Sequence, residues 1–156
     1  MLGSDKERDD KHVKKEQKEQ FDHYFVEEPH STLKIREVEL KLKNGHIYIF
    51  KTPSGVYSYG QVDKATQVLI NNCRTVEGKV LDIGCGYGVI GITLKKENPS
   101  IELFMSDINK RAVEFAKINA KDNNVEADIR QGNLYEPWDE LTFNHIISNP
   151  PIVAGK

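Results

Sequence analysis

A cluster of glycines placed directly after a short apolar strand is the feature that most restricts how this chain can fold. The stretch Lys79–Ile83 predicts a buried strand, and a helix is predicted from Val89 to Glu97, where Pro99 ends it. Three glycines lie between these elements, Gly84, Gly86 and Gly88, and a fourth, Gly91, lies in the predicted helix. Glycine allows a sharp strand-to-helix turn and a close approach of the backbone to a ligand. The free N–H groups of the helix N-terminus could then receive an anionic group.

Strands and helices continue to alternate after this segment. Further strands are predicted at Ile101–Ser106, Ala127–Gln131 and Phe143–Ser148. Asn109 can cap a helix that runs to Lys121, with Val113, Ala116 and Ala120 on one face. This alternation predicts βαβ units, a parallel sheet and an α/β fold, in which ligands bind at the carboxyl ends of the strands.

A β-hairpin and a further helix are predicted before the α/β segment. Apolar and charged residues alternate from Val38 to Leu42, Asn44-Gly45 is a strong hairpin-turn signal, and Ile47–Phe50 can pair back. Asp63 can cap the helix that follows. The apolar face of that helix is predicted to consist of Ala65, Val68 and Leu69.

The first twenty residues, Met1–Gln20, contain six acidic and six basic residues and no aromatic residue. Such a segment cannot bury a core, so a disordered tail or a solvated helix is expected. The sequence therefore divides into a tail at 1–20, a hairpin extension at 21–60 and the main domain at 61–156.

Composition excludes several classes of protein. No apolar run is long enough for a membrane span and no secretory leader is visible, so a cytoplasmic protein is expected. Cys73 and Cys85 have no metal-ligand spacing and are expected to be buried thiols, and the histidines are scattered, so no metal site is predicted. The net charge of −2 argues against a generally basic surface, although a local basic patch would suffice for binding a nucleic acid.

Two kinds of cofactor fit the glycine pattern. Gly86-x-Gly88-x-x-Gly91 matches the dinucleotide fingerprint. Gly84-x-Gly86-x-Gly88 matches a loop that binds S-adenosylmethionine, and Asp82 precedes that loop by two residues. In a dinucleotide site the apolar strand runs straight into the first glycine of the fingerprint, which here would be Gly86. The predicted strand instead ends at Ile83, so that Gly84 is the first residue of the loop. This register favours S-adenosylmethionine and leaves the dinucleotide interpretation open.

Two polar residues follow the next two strands. Asp107 ends the second strand, where a carboxylate can accept hydrogen bonds from a ribose diol, which both cofactors possess. Asn133 follows the third strand and can meet an adenine edge, or can simply belong to a turn. Neither residue separates the two cofactors.

The motif Asn149-Pro150-Pro151 follows the fourth predicted strand. Paired prolines lock a rigid, extended turn. The Asn149 side-chain oxygen and the Pro150 carbonyl could accept the two hydrogens of a planar amino group and turn its nitrogen lone pair towards the cofactor. An ordinary strand-terminating turn is the alternative, but the position of the motif favours a catalytic role.

Taken together, these motifs make the chain similar to the small methyltransferase domain family, and in particular to ribosomal RNA guanine-N2 methyltransferases and their stand-alone archaeal relatives. The resemblance covers Phe21 to Lys156. It is carried by Gly55-Val56-Tyr57-Ser58, Leu81 to Gly88, Ser106-Asp107-Ile108-Asn109 and Asn149-Pro150-Pro151. It implies a Rossmann-like, doubly wound and mostly parallel sheet. With the hairpin left out of the numbering, the implied strand order is 3-2-1-4.

The resemblance also implies the site residues and the reaction. The implied S-adenosylmethionine-binding residues are Asp82, Gly84, Cys85, Gly86, Gly88, Asp107, Ile108, Asn133 and Leu134. Asn149-Pro150-Pro151 would orient the amine, which attacks the sulfonium methyl group in line. The expected function is methylation of an exocyclic amino nitrogen, most simply guanine N2 of ribosomal RNA. RNA is therefore the expected partner.

The sequence departs from the family pattern at two points. Ile152 stands where similar glutamine and adenine methyltransferases carry an aromatic residue that stacks on the target, which weakens those two alternatives and makes Ile152 a candidate substrate-binding residue. The family sheet also continues beyond four strands, so a truncated domain is expected. A non-catalytic S-adenosylmethionine-binding module stays open for that reason, whereas an oxidoreductase has no use for the Asn149-Pro150-Pro151 motif.

Overall fold

The computed structural model of the chain describes residues 32–73 and 75–148. The charged tail Met1–Gln20 and the motif Asn149–Ile152 lie outside the described residues, so what the sequence predicts for them stays a prediction. The same holds for the predicted boundaries at 1–20, 21–60 and 61–156. The described residues form a two-stranded sheet and a four-stranded sheet, joined by helices.

The two-stranded sheet is the predicted hairpin. Strands β1 (Ile35–Lys41) and β2 (Ile47–Pro53) pair in antiparallel register. Gly45 in the turn between them has φ +91°, a left-handed conformation that favours glycine. The inward side chains of the hairpin are fully or almost fully buried, among them Leu40 and Phe50. The alternation of apolar and polar residues therefore predicted the buried face correctly.

The four-stranded sheet is entirely parallel and has the order β5-β4-β3-β6. Its strands are β3 (Lys79–Ile83), β4 (Glu102–Asp107), β5 (Asp128–Gln131) and β6 (His145–Ser148). This is the predicted order 3-2-1-4, and the Rossmann-like α/β prediction is confirmed. The strands that follow β3 in the chain lie on both sides of it, with β4 on one side and β6 on the other, so the strand order reverses at β3. Such a switch point opens a crevice at the carboxyl ends of the strands.

Three helices connect the strands: α1 (Lys64–Asn72), α2 (Val89–Glu97) and α3 (Lys110–Asp122). The predicted caps are confirmed, since Asp63 accepts hydrogen bonds from the N–H groups of Ala65 and Thr66, and Asn109 caps α3 in the same way.

The apolar face predicted for α1 is confirmed at Leu69, which is half-buried against the core, and is wrong at Ala65 and Val68. Val68 is 58% exposed and Ala65 is also exposed, whereas Thr66 and Ile70 are buried. The Thr66 hydroxyl donates a hydrogen bond of 3.1 Å to the Asp63 carboxylate, which satisfies its polar group and allows it to face inwards. Side-chain polarity alone therefore misplaced part of the buried face of α1.

The two faces of the parallel sheet have different coverings. The larger core lies on the face covered by α2 and α3, and it extends to the hairpin, whose strand β2 packs against α3. On the other face, Leu81, Ile83 and Phe104 pack against Trp138, which belongs to the short 3₁₀ helix Glu136–Trp138 between β5 and β6. The Trp138 indole donates a hydrogen bond of 3.0 Å to the Ser106 hydroxyl, so the connection across this face is tied to β4.

Candidate functional site

A cleft opens at the carboxyl ends of the parallel strands, where the switch point of the sheet predicts it. Its walls are formed by the loops after β3, β4 and β5, by Ser148 at the end of β6 and by a segment that precedes α1. Eight of the predicted cofactor-binding residues line it: Asp82, Gly84, Cys85, Gly86, Asp107, Ile108, Asn133 and Leu134. The structure therefore brings together residues from three separate loops.

The glycine-rich turn has three left-handed positions, with φ +67° at Gly84, +56° at Gly86 and +97° at Gly88. A Cβ atom built on Gly84 would meet no heavy atom within 4 Å, and one built on Gly86 would meet only Val56 Cγ1, at 3.9 Å. Val56 also lines the cleft, so these two glycines leave space that side chains would otherwise fill.

Gly88 has a different role from the other two turn glycines. It lies outside the cleft lining and precedes the first residue of α2. A Cβ atom at Gly88 would lie 2.7 Å from Ile92 Cδ1 and 3.5 Å from the Ala116 backbone. The left-handed φ of +97° and the close contact with Ile92 therefore favour glycine at this position, which the cleft lining does not include.

Asp107 supports the glycine-rich turn. Its Oδ2 atom accepts a hydrogen bond of 2.9 Å from Gly86 N–H, and its Oδ1 atom accepts one of 2.9 Å from Asn109 N–H. Burial raises the pKa of the Asp107 carboxyl, and these backbone N–H groups oppose the rise. The carboxylate lines the cleft with further lone pairs, so it can still accept hydrogen bonds from a ligand.

Asp82 is the most deeply buried acidic residue among those described, with 1% of its surface exposed. Its carboxylate accepts a hydrogen bond of 3.1 Å from Gly91 N–H in the first turn of α2. Loss of hydration raises the pKa of this carboxyl to about 7; the Gly91 N–H opposes the rise and the negative charge of Asp107 adds to it. The floor of the cleft therefore holds a carboxyl group that titrates near neutral pH.

Asp82 should make folding stability depend on pH. Its pKa is higher in the folded chain than in the unfolded chain, so the folded state holds an extra proton between about pH 4 and about pH 7. The free energy of unfolding should therefore fall as the pH rises through this window, by at most about 4 kcal/mol from Asp82. Urea denaturation of the wild type and Asp82→Asn measures the effect.

Asp82→Asn keeps an oxygen that can accept from Gly91 N–H and carries no titrating proton. Relative to the wild type, this variant should gain stability as the pH rises from about 4.5 to about 8. Hydrogen bonds from His46, Asn44 and Tyr48 lower the pKa of Glu97, although burial acts to raise it, so Glu97 contributes a pH dependence of the opposite sign. This contribution is the same in both proteins and cancels in the difference between their free energies of unfolding. A difference that does not vary with pH would contradict the assignment.

The cleft also includes residues that the sequence-based site prediction missed. Val56, Tyr57 and Ser58 line it from the segment before α1, and Asp63 lines it while capping that helix. The segment is held in place by Asn109, whose Nδ2 donates a hydrogen bond of 3.0 Å to the carbonyl of Gly55. The motif Gly55-Val56-Tyr57-Ser58, a landmark of the family resemblance, is the sequence signal that points to this segment.

The rim of the cleft opposite this segment is formed by the loop after β5. Asn133 is exposed, and Leu134 is 61% exposed with φ +46°. Gly132 N–H donates a hydrogen bond of 3.0 Å to the Asp107 carbonyl, which continues the pairing of β4 and β5 up to the rim. The Leu134 and Asn133 side chains are thus exposed to solvent at the position where the sequence predicts contact with an adenine.

The described residues also concern the predictions about cysteines, metal sites and membrane spans. Cys85 is buried as predicted, but Cys73 is exposed at the end of α1, which contradicts the prediction for it. Within residues 32–73 and 75–148, no group of three or more potential ligands could hold a metal ion. No helix in the same part of the chain is both long and apolar enough to cross a membrane.

The fold and the cleft together define a class of protein. A glycine-rich turn after the strand beside the switch point, with carboxylates on that strand and its neighbour, is typical of Rossmann-like domains that bind a nucleoside-containing cofactor. The sequence model of the methyltransferase small domain matches residues 47–156. The chain belongs to this family, as its motifs predicted.

Comparisons with individual proteins agree with this assignment. The chain is 37% identical over 139 residues to the uncharacterized protein YbxB of Bacillus subtilis, covering 86% of this chain and 69% of YbxB. It is 43% identical over 101 residues to ribosomal RNA small subunit methyltransferase C of Photobacterium profundum, covering 65% of this chain and 30% of that protein.

A solved structure is also similar, that of the T. thermophilus 16S rRNA N2 G1207 methyltransferase (RsmC) in complex with AdoMet and guanosine. The TM-score is 0.71 at 26% sequence identity, and the match covers 82% of this chain and 36% of the Thermus chain. The chain thus spans about a third of the length of these methyltransferases.

Proposed function

We propose that the chain binds S-adenosylmethionine in the cleft and transfers its methyl group to the exocyclic amino nitrogen of a guanine in ribosomal RNA, in the cytoplasm. The observation that carries this proposal is the position of Ser148. It lines the cofactor cleft at the end of β6, and Asn149-Pro150-Pro151 follows it directly in the sequence. The proposed amine-orienting motif is therefore the stretch of sequence that directly follows a residue of the cleft.

The cleft has the chemistry that the donor requires. Asp107 would accept hydrogen bonds from the ribose diol, and Asn133, Leu134 and Ile108 would hold the adenine. The open positions at Gly84 and Gly86 leave room for the methionine part next to the backbone. The Asp82 carboxyl lies in the same cleft, where its negative form attracts the positive charges of the donor.

The transfer itself depends on orientation. The Asn149 side-chain oxygen and the Pro150 carbonyl hold the two amino hydrogens, and the nitrogen lone pair then points at the methyl carbon. The nitrogen–carbon bond forms as the carbon–sulfur bond breaks, the sulfur leaves as a neutral thioether, and the nitrogen loses a proton to water. Ile152 contacts the base next to this position.

Guanine in RNA is proposed as the target on two grounds. The Photobacterium relative is named a ribosomal RNA methyltransferase, and the similar Thermus protein acts on guanine N2 of 16S rRNA and was solved with guanosine. Ile152 is aliphatic, whereas glutamine and adenine methyltransferases of similar type stack an aromatic residue on their target.

A labelled-donor assay tests the proposal. The full chain is incubated with S-adenosylmethionine carrying a labelled methyl group and, separately, with ribosomal RNA, duplex DNA or a glutamine-containing peptide. We expect label only in RNA, and N2-methylguanosine as the labelled nucleoside after digestion and mass spectrometry. Label in adenine or in the peptide would overturn the choice of target. Donor binding without transfer to any substrate would overturn the proposed activity and favour a binding module.

A further inference from the structure

The hairpin is joined to the glycine-rich turn through one buried side chain, that of Asn119 on α3. Asn119 is completely buried. Its Oδ1 atom accepts a hydrogen bond of 2.8 Å from Lys51 N–H, and its Nδ2 atom donates one of 2.9 Å to the Lys51 carbonyl. The amide thus pairs with both backbone groups of Lys51, as a residue of a neighbouring strand would.

The second Nδ2 hydrogen of Asn119 reaches the cofactor turn. It is donated to the carbonyl of Tyr87 at 2.8 Å, and Tyr87 lies between the left-handed residues Gly86 and Gly88. The other end of the same residue is also held, since the Tyr87 hydroxyl lies 3.2 Å from the Ser58 carbonyl and 3.1 Å from that of Gln61. Tyr87 is thereby fixed at its backbone by α3 and at its ring by the segment before α1.

This set of partners requires a neutral amide. One acceptor must face an N–H group and two donors must face two carbonyls, and asparagine supplies all three at once. An aspartate of the same shape would place a buried negative charge against two carbonyl oxygens. The turn that it holds contains three glycines, whose backbone can adopt many conformations, so contacts from outside the turn are needed to fix its shape.

We propose that Asn119 is a positioning residue for the donor site. Through Asn119, the hairpin then helps to hold that site in shape. The inference rests on the proposed binding of S-adenosylmethionine. By holding the Tyr87 carbonyl against β2, Asn119 keeps the Gly84–Gly88 turn in the shape that receives the donor before the donor arrives. The donor then does not have to order the turn at the expense of its own binding free energy.

Asn123, one turn further along α3, offers a matched control. Its Nδ2 atom donates hydrogen bonds to the Ile49 carbonyl at 3.2 Å and to the Asn119 carbonyl at 2.9 Å. It therefore also connects α3 to β2, but no hydrogen bond links it to the glycine-rich turn. A loss of hairpin packing alone affects both asparagines, whereas a loss of turn position affects only Asn119.

The test compares Asn119→Asp and Asn123→Ala with the wild type. Binding of S-adenosylhomocysteine is measured by calorimetry, KM and kcat are measured with S-adenosylmethionine, and stability is measured by urea denaturation. We expect Asn119→Asp to raise the Kd and the donor KM at least about tenfold, with kcat at saturating donor within about threefold of wild type. Asn123→Ala should lose stability and keep the wild-type Kd.

Two results would overturn the inference: a folded Asn119→Asp that binds as tightly as the wild type, or an equal loss of affinity in Asn123→Ala. If Asn119→Asp does not fold, Asn119→Ser, which keeps one hydroxyl donor, is measured against the same criteria. A wild-type chain that does not bind S-adenosylhomocysteine would instead contradict the proposed function. The two failures are therefore distinguishable.

Discussion

Replacing Asn149 with alanine is expected to lower kcat by at least about 100-fold and to leave the Kd of the methyl donor within about twofold of wild type. The variant loses the side-chain acceptor that holds one hydrogen of the target amine, so the nitrogen lone pair is no longer directed at the methyl carbon. The proposed donor site consists of the loops after β3, β4 and β5, which the substitution does not alter. Single-turnover methylation and calorimetry measure the two quantities separately.

Asn72→Ala is the control for this substitution. Asn72 is an exposed asparagine at the end of α1, and its side chain donates a hydrogen bond to the Val68 carbonyl of the same helix. It should retain wild-type kcat and Kd. Turnover by Asn149→Ala within about threefold of wild type would contradict the catalytic role of the motif, because loss of an oriented acceptor should cost far more.

Replacing Gly86 with valine is expected to weaken donor binding by more than about 100-fold. The new Cβ and its methyl groups would enter the cleft towards Val56, which lies 3.9 Å from the Cβ position. The backbone of a β-branched residue is also strained at φ +56°, at a cost of about 1–2 kcal/mol. Calorimetry with S-adenosylhomocysteine measures the affinity, and urea denaturation measures the strain.

Gly45→Val separates these two effects. Gly45 has φ +91° in the hairpin turn, and a Cβ atom there would meet nothing within 4 Å. The substitution introduces similar backbone strain away from the cleft, so it should lower stability by a comparable amount and leave donor affinity unchanged. Equal donor affinity in Gly86→Val and the wild type would show that the turn does not contact the donor.

Much of the fold was predictable because its signals are local. Asp63 and Asn109 cap their helices through their own neighbouring N–H groups, and Asn44-Gly45 makes its turn within a few residues. The alternation of strands and helices then leaves few topologies, since parallel strands need crossover connections of one hand. The strand order followed from these restrictions together with the family resemblance.

What the sequence pattern misjudged depends on how side chains are placed in the folded chain. Val68 was expected in the core of α1 but is 58% exposed among the described residues, whereas Thr66 faces inwards because Asp63 accepts a hydrogen bond from its hydroxyl. Cys73 was expected to be buried and is exposed. Gly88 belongs to the glycine pattern, yet it lies outside the cleft lining and adopts the left-handed conformation just before α2.

By itself the sequence determined the α/β architecture, the family and the glycine-rich turn, because each of these depends on periodicity or on conformations that only certain residues adopt. Only the tertiary structure decided that Tyr57 and Asp63 share the cleft with the loops after β3 and β4, and that Asn119 joins the Lys51 backbone to the Tyr87 carbonyl. Hydrogen bonds between residues far apart along the chain leave no spacing in the sequence, since any asparagine of an amphipathic helix can point equally to solvent or to a partner.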